Sequence, residues 1–169
     1  MRRLRQGVRA LFAWARPVDT ALAAKILSPE LLRLFQRMRR SEQQHSLNVL
    51  RTLQAQGHND PALLAAALIH DVGKSRVAFH LWDRVLVVLV KAAAPRLARK
   101  WGQGTPTGWR RPFAVSQQHP QWGAEMAAAA GADPLLVELI ADHQKHLVGS
   151  PQNHVEERLR LLQNADDAN

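Results

Sequence analysis

At three places in this chain a capping residue and proline lead directly into an apolar stretch: Ser28-Pro29, Asp60-Pro61 and Asp133-Pro134. A side-chain oxygen at the first position bonds amides that a helix start leaves unpaired. Proline suits the first helical turn, where its missing N–H costs nothing. Each pair therefore predicts a helix start, and apolar residues at three- and four-residue spacing follow each one. The predicted helices run from Ser28-Pro29-Glu30 through Met38, from about Glu42 to Gln56 with a stop at Gly57, and from Ala62 to His70 with an end at Gly73. Others cover 121–130, closed by Gly131, then Asp133-Pro134 through His143, and Val155 to Asp166. A short basic amphipathic stretch at 4–15 precedes them, with Leu4, Val8, Leu11 and Phe12 on one side. No segment alternates convincingly at period two, so the predicted class is all-α.

A length of 169 residues with 46% apolar content suits one domain with one core. The chain has no cysteine, which excludes disulfides, thiolate zinc sites and iron–sulfur clusters. Any metal must be held by nitrogen and oxygen, which points to Mn, Fe, Zn, Co or Mg. Net charge is +9, and 18 of the 23 basic residues are Arg. Such a surface attracts phosphates, nucleic acid or anionic lipid. Codon bias accounts for the bulk of it as well, since Arg and Ala are plentiful while Lys is scarce. The first residues, Met-Arg-Arg-Leu-Arg, carry no long apolar run, so no secretory signal is expected. The most hydrophobic run, Val85 to Val90, is far shorter than the roughly 20 residues of a membrane span. The expectation is a soluble, cytoplasmic protein.

Six metal-capable side chains fall on apolar faces: His45, His70, Asp71, His119, His143 and Asp166. Asp166 follows Leu159 and Leu162 at seven and four residues, and His143 follows Leu136 and Leu139 in the same way. His70 follows Leu63 and Ala66, Asp71 follows Leu64 and Leu68, and His45 lies in the stripe of its own helix. A single histidine so placed is more often a hydrogen-bonded core residue. Six such groups on several stripes weaken that explanation. Imidazole and carboxylate are costly among Leu and Ile unless paired, and a divalent cation pairs with them well.

The order His45, His70-Asp71, His119, His143, Asp166 resembles the HD-domain superfamily of metal-dependent phosphohydrolases over roughly residues 40–168. The strongest motif is His70-Asp71-Val-Gly-Lys74, and Ala165-Asp166 resembles the closing Ala-Asp of the pattern. His119-Pro-Gln-Trp-Gly123-Ala124-Glu125 is similar to the second-metal segment of HD-GYP cyclic-dinucleotide phosphodiesterases and of diadenosine tetraphosphate hydrolases. The resemblance implies an HD-type helical bundle over residues 41–169, with the metal site among central helices. Residues 1–40 would be N-terminal helices packed on its core, and about 80–112 an inserted segment. His45, His70, Asp71 and Asp166 match the ligands of a first metal. Asp71 would bridge to a second held by His119 and His143. Two divalent ions per chain are implied, Mn or Fe first, with Zn, Co or Mg as alternatives. Such a pair, about 3.5–4 Å apart, activates water and clamps attacking and leaving oxygens. Asp71 and Lys74 are the catalytic candidates. Lys74 would steady a phosphoryl oxygen, with a solvated lysine as the plain alternative. The Gly-Tyr-Pro element is missing, Gln144 stands where the cyclic-dinucleotide enzymes have a second histidine, and the stretch from Asp71 to His119 is long.

In that stretch Trp82, Leu86, Val87, Leu89 and Val90 are followed by Arg96, Arg99, Lys100 and Trp101, then by a Gly- and Pro-punctuated loop from Gly102 to Pro112. The apolar part reads as one more core helix. The loop reads as a functional element: a lid, a subunit contact or a peripheral contact with an anionic membrane. Arg110 and Arg111 are candidates to bind substrate phosphate. Trp82, Trp101 and Trp109 serve packing or stack on a base. His58 and His154 read as surface residues, and His80 and His146 as non-ligands. No helix alternates basic and aromatic residues, so no nucleic-acid polymer is expected as partner. The expected substrate is a small phosphorylated molecule, a nucleotide first. The competing readings are a catalytically silent HD module that binds a nucleotide or partner, and a di-iron oxygenase of the same superfamily.

Overall fold

The segment Ala62-Leu-Leu-Ala-Ala-Ala-Leu-Ile69 has no polar face, so a helix made from it belongs at the centre of the molecule. A computed structural model, which describes residues 17–78 and 80–169, puts it there: Leu63 through Ile69 are all buried. In chain order the helices are α1 (Thr20–Ala24), α2 (Pro29–Arg37), α3 (Arg40–Ala55), α4 (Pro61–Ile69), α5 (Leu81–Ala93), α6 (Pro95–Gly102), α7 (Arg111–Ala129), α8 (Pro134–Asp142) and α9 (His154–Asp167). Single 3-10 turns occupy Val72–Arg76 and Gly108–Arg110. No strand occurs among the described residues, and the fold is the all-α helical bundle expected. The basic stretch at 4–15 lies outside the described residues.

The three cap-and-proline pairs open helices as anticipated. Ser28 Oγ accepts from the Leu31 amide at 3.3 Å, Asp60 Oδ1 from Leu63 at 2.9 Å, and Asp133 Oδ1 from Leu135 at 2.8 Å. Around α4 the apolar faces of α2, α3, α8 and α9 close a core that includes Phe35, Leu47, Leu50, Leu139, Ile140, Leu159 and Leu162. A second, smaller cluster holds Val87, Ala98, Phe113, Val115 and Trp122, where α5 and α6 pack on the first half of α7.

Two local expectations give way. The stretch from Gly102 to Pro112 is not one long loop, because a 3-10 turn forms at Gly108–Arg110 and α7 starts at Arg111. α7 then runs through Pro120 rather than beginning after it. A proline inside a helix costs about 3 kcal/mol. Here buried residues on both sides, among them Phe113, Val115, Trp122, Ala124 and Ala127, reward keeping the two halves in one helix. His119 is thereby placed in the middle of a helix. Among the described residues no helix is long and apolar enough to cross a membrane.

Candidate metal centre

The central helix ends on His70, and Asp71 follows as the chain turns into the 3-10 segment. What lies opposite is set by a close approach of two backbones. A Cβ on Gly73 would collide with the carbonyl oxygen of His119 and sit 2.7 Å from the Gly123 nitrogen. Gly123 is constrained more mildly, since its own Cβ would come 3.0 Å from Ile140 Cγ2 and 3.3 Å from the Gly73 nitrogen. Only glycine lets the two segments meet so tightly, and that contact brings His119 against Asp71. α8 delivers His143 at its C-cap, α9 delivers Asp166, and α3 delivers His45.

The ring nitrogens are sorted by the backbone. Nδ1 of His70 lies 3.1 Å from the Ala67 carbonyl, that of His119 3.0 Å from Val115, and that of His143 2.8 Å from Ile140. A carbonyl only accepts, so each Nδ1 carries the proton, and in the neutral ring Nε2 presents its lone pair. These Nε2 atoms converge. His119 Nε2 and His143 Nε2 are 3.3 Å apart, a contact of two acceptors in neutral rings, and their spacing suits two nitrogens on one cation. His70 Nε2 is buried with no hydrogen-bond partner. A divalent cation satisfies such orphaned nitrogens.

The carboxylates complete the arrangement. Asp71 Oδ1 is 3.2 Å from His119 Nε2 and 3.8 Å from His143 Nε2, while Oδ2 is 3.8 Å from His70 Nε2. Asp166 Oδ1 is 2.6 Å from His45 Nε2 and 3.6 Å from His70 Nε2. The six candidate ligands thus form two triads, His45-His70-Asp166 and Asp71-His119-His143, each with ligand atoms within 4.8 Å of one another. His70, Asp71, His119 and His143 are buried; His45 and Asp166 are half-buried and form the open side.

Protonation states favour metal over protons. Burial, and then the His70 charge, push His143 down to about 3, and burial lowers His119 as well. Burial works to raise Asp71, but the Lys74 charge, then His70 and His119, hold it well below the usual carboxylate range. Asp166 is likewise lowered, with the His45 and His70 hydrogen bonds outweighing burial. His70 moves upward, because the Asp71 and Asp166 carboxylates outweigh its desolvation. Neutral His119 and His143 beside ionised carboxylates are metal-binding forms, whereas His70 has to release its proton to bind.

Lys74 donates to Asp71 Oδ2 at 2.6 Å, so its ammonium is occupied by the carboxylate. Arg111 Nη2 pairs with Asp83 Oδ2 at 3.2 Å, and exposed Arg110 lies over the Trp109 ring at 5.0 Å. His154 is exposed and faces Glu157, outside both triads.

Several supporting residues escaped the sequence reading. Gln163 donates to the carbonyls of His143 (3.0 Å) and Lys145 (2.8 Å), holding the end of α8. Its position three residues before Asp166 was the available signal. Arg158 bonds Asp60 Oδ2 through Nε (2.9 Å) and Nη2 (2.6 Å), tying the α9 that carries Asp166 to the start of α4. Gln144 Nε2 comes within 3.4 Å of His119 Nε2.

Comparison with curated proteins and with solved structures returned no match. A family model described as HD domain matches residues 43–168, a span that holds both triads and all six of their residues. The chain belongs to the HD domain family.

Proposed function

We propose that this protein is a metal-dependent phosphohydrolase that cleaves a phosphoester or phosphoanhydride bond of a small, nucleotide-like substrate at a binuclear centre. The observation that carries the reading is Asp71: its Oδ1 faces His119 and His143 while its Oδ2 faces His70. A carboxylate so placed is suited to serve both triads at once. His45, His70 and Asp166 with Asp71 would hold one ion, and Asp71, His119 and His143 the other, with Mn or Fe as first candidates. When bound, such a pair supplies Lewis-acid activation of water and of a phosphoryl oxygen.

The chain's own residues divide the remaining work. The backbone-bonded Nδ1 atoms lock the imidazole rings with Nε2 inward. Lys74 neutralises Asp71 in this structure, and it would meet an incoming phosphoryl oxygen as a point charge once a cation takes over that carboxylate. His45 and Asp166, on the half-open side, mark where substrate enters. The finer likeness to cyclic-dinucleotide phosphodiesterases and diadenosine tetraphosphate hydrolases rests on the His119–Glu125 segment. Glu125 itself turns outward to Arg76 at 3.0 Å. A cytoplasmic location completes the reading.

The test is anaerobic metal analysis joined to a substrate panel with Mn(II) or Fe(II): nucleoside mono-, di- and triphosphates, dinucleoside polyphosphates and cyclic dinucleotides. Two metals per chain with phosphate release from a small substrate is the expected result. Turnover confined to long RNA or DNA would refute it. Metal without any phosphohydrolysis would favour the oxygenase or the silent module.

A further inference from the structure

A cavity of about 600 Å³ lies where α5 and α6 face α7 and α8. That size falls within the range of small-ligand sites. Its lining carries three cations, Lys91, Arg99 and Lys145, and no carboxylate. Lys145 is partly neutralised by Asp142 at 3.0 Å. Among the described residues no carboxylate pairs with Lys91 or Arg99. Lys91 instead donates to Ser116 Oγ at 2.8 Å, which fixes its ammonium against α7. Phe113, Pro120 and Ala141 supply apolar surface between these charges.

Two lining residues border the candidate metal centre. Gln144 lines the cavity and also lies 3.4 Å from His119 Nε2, and Pro120 follows His119 directly. Partial burial of Lys91, and then the charge of Lys74 beside Asp71, hold the Lys91 ammonium below the usual lysine range. An uncompensated set of cations in a partly enclosed space attracts an anion with several oxygens. The inserted helices supply two of the three cations, which gives the insertion a chemical task.

We propose that this cavity is a substrate subsite that grips a second phosphate group through Lys91 and Arg99, with Lys145 at its rim, while the reacting phosphate lies at the two histidine–aspartate triads. This rests on the phosphohydrolase reading and narrows it: the substrate carries at least two phosphates, as in a nucleoside oligophosphate. Gln144 is the divider between the two phosphate positions.

The subsite is tested without catalysis, by calorimetric titration of metal-free full-length protein with tripolyphosphate at low salt. Wild type should bind it, and Lys91→Gln with Arg99→Gln should weaken binding about 100-fold, roughly tenfold for each charged hydrogen bond lost. Arg37→Gln, an exposed cation of α2 that does not line the cavity, should leave tripolyphosphate affinity within about twofold. Circular dichroism confirms that each variant is folded. Equal affinity in wild type and the double variant overturns the subsite, as does absence of binding to wild type. If the binding pattern holds but no phosphate ester is hydrolysed with any metal, the hydrolase reading fails and the anion site stands. On the loaded enzyme, the double variant should raise KM for a triphosphate substrate far more than it lowers kcat.

Discussion

The histidine–aspartate cluster and helix α5 depart from the usual partition of side chains in opposite directions. In the first, His70, Asp71, His119 and His143 are buried among Leu and Ile. In the second, Trp82, Val88 and Leu89 are 79%, 65% and 62% exposed. Burying polar groups without partners costs several kcal/mol. Exposing an apolar stripe forfeits a gain of about 25 cal/mol per Å² that a partner would supply. The difference teaches where each region's missing partner lies. The cluster calls for a cation inside the molecule, and the α5 stripe calls for a surface outside it.

Trp82, Val85, Leu86 and Leu89 fall at the spacing of one helical face, all exposed, with Arg96, Lys100 and Arg110 exposed nearby. We propose that this face rests on an anionic membrane, as an interfacial helix does. α5 is nonetheless tied down on its other side, by Arg84 to Glu42 of α3 at 2.5 Å and by Asp83 to Arg111 of α7.

The sharpest way to break the comparison is Asp71→Ala. If Asp71 serves both triads, elemental analysis should show loss of bound metal. Turnover should fall by about 10³-fold or more, because the rest of a catalytic unit does not compensate for a shared member. Hydrolysis at wild-type rate in that variant would sink the assignment. Gly73→Ala comes next. Its methyl would strike the backbone of His119, which the helix cannot move aside, so stability should drop by about 3 kcal/mol in urea unfolding. A neutral result would mean the Gly73–Gly123 approach does not hold the cluster together.

Asp60→Asn is milder and has a pH signature. Asparagine keeps the helix cap, so the change isolates the bond to Arg158, worth about 1 kcal/mol at neutral pH. Arg158 foremost holds the Asp60 carboxyl below its ordinary 3.8. The contribution is therefore present above that value and lost as pH falls through the folded-state pKa. Wild type and variant should unfold at different urea concentrations at pH 7 and converge in acid. A difference that persisted at low pH would show that the pair is not its source. The smallest stability effect should come from Trp82→Ser with Leu86→Ser and Leu89→Ser. Trp82 and Leu89 touch mainly solvent and Leu86 is 42% exposed, so unfolding free energy should shift by only about 0.5 kcal/mol at the first two and somewhat more at Leu86. Wild type is expected to co-sediment with anionic but not with neutral liposomes, and the variant should lose that binding. A strong loss of stability would mean that α5 is an ordinary core helix.

Local chemistry was legible in the sequence. Ser28, Asp60 and Asp133 cap helices because each bonds an amide only two or three residues away. His70, Asp71, His143 and Asp166 stood out because helical spacing alone puts each beside Leu. The all-α class followed from the same spacing, and so did family membership, which the order of those residues carries.

Only the tertiary structure decided the rest. Proline rules for an isolated helix stop at Pro120, and packing on both sides carries α7 past it. The division of six candidate ligands into two triads depends on how five separate segments meet, and the Gly73–Gly123 contact beside it spans 50 residues. Arg110 and Arg111 had the charge expected of a phosphate site, but the fold turns one onto Trp109 and the other onto Asp83. It also assembles Lys91, Arg99 and Lys145 around a cavity. Charge and apolar period are properties of a short segment, and a sequence displays them directly. Convergence of distant side chains is a property of helix packing, which no short segment contains.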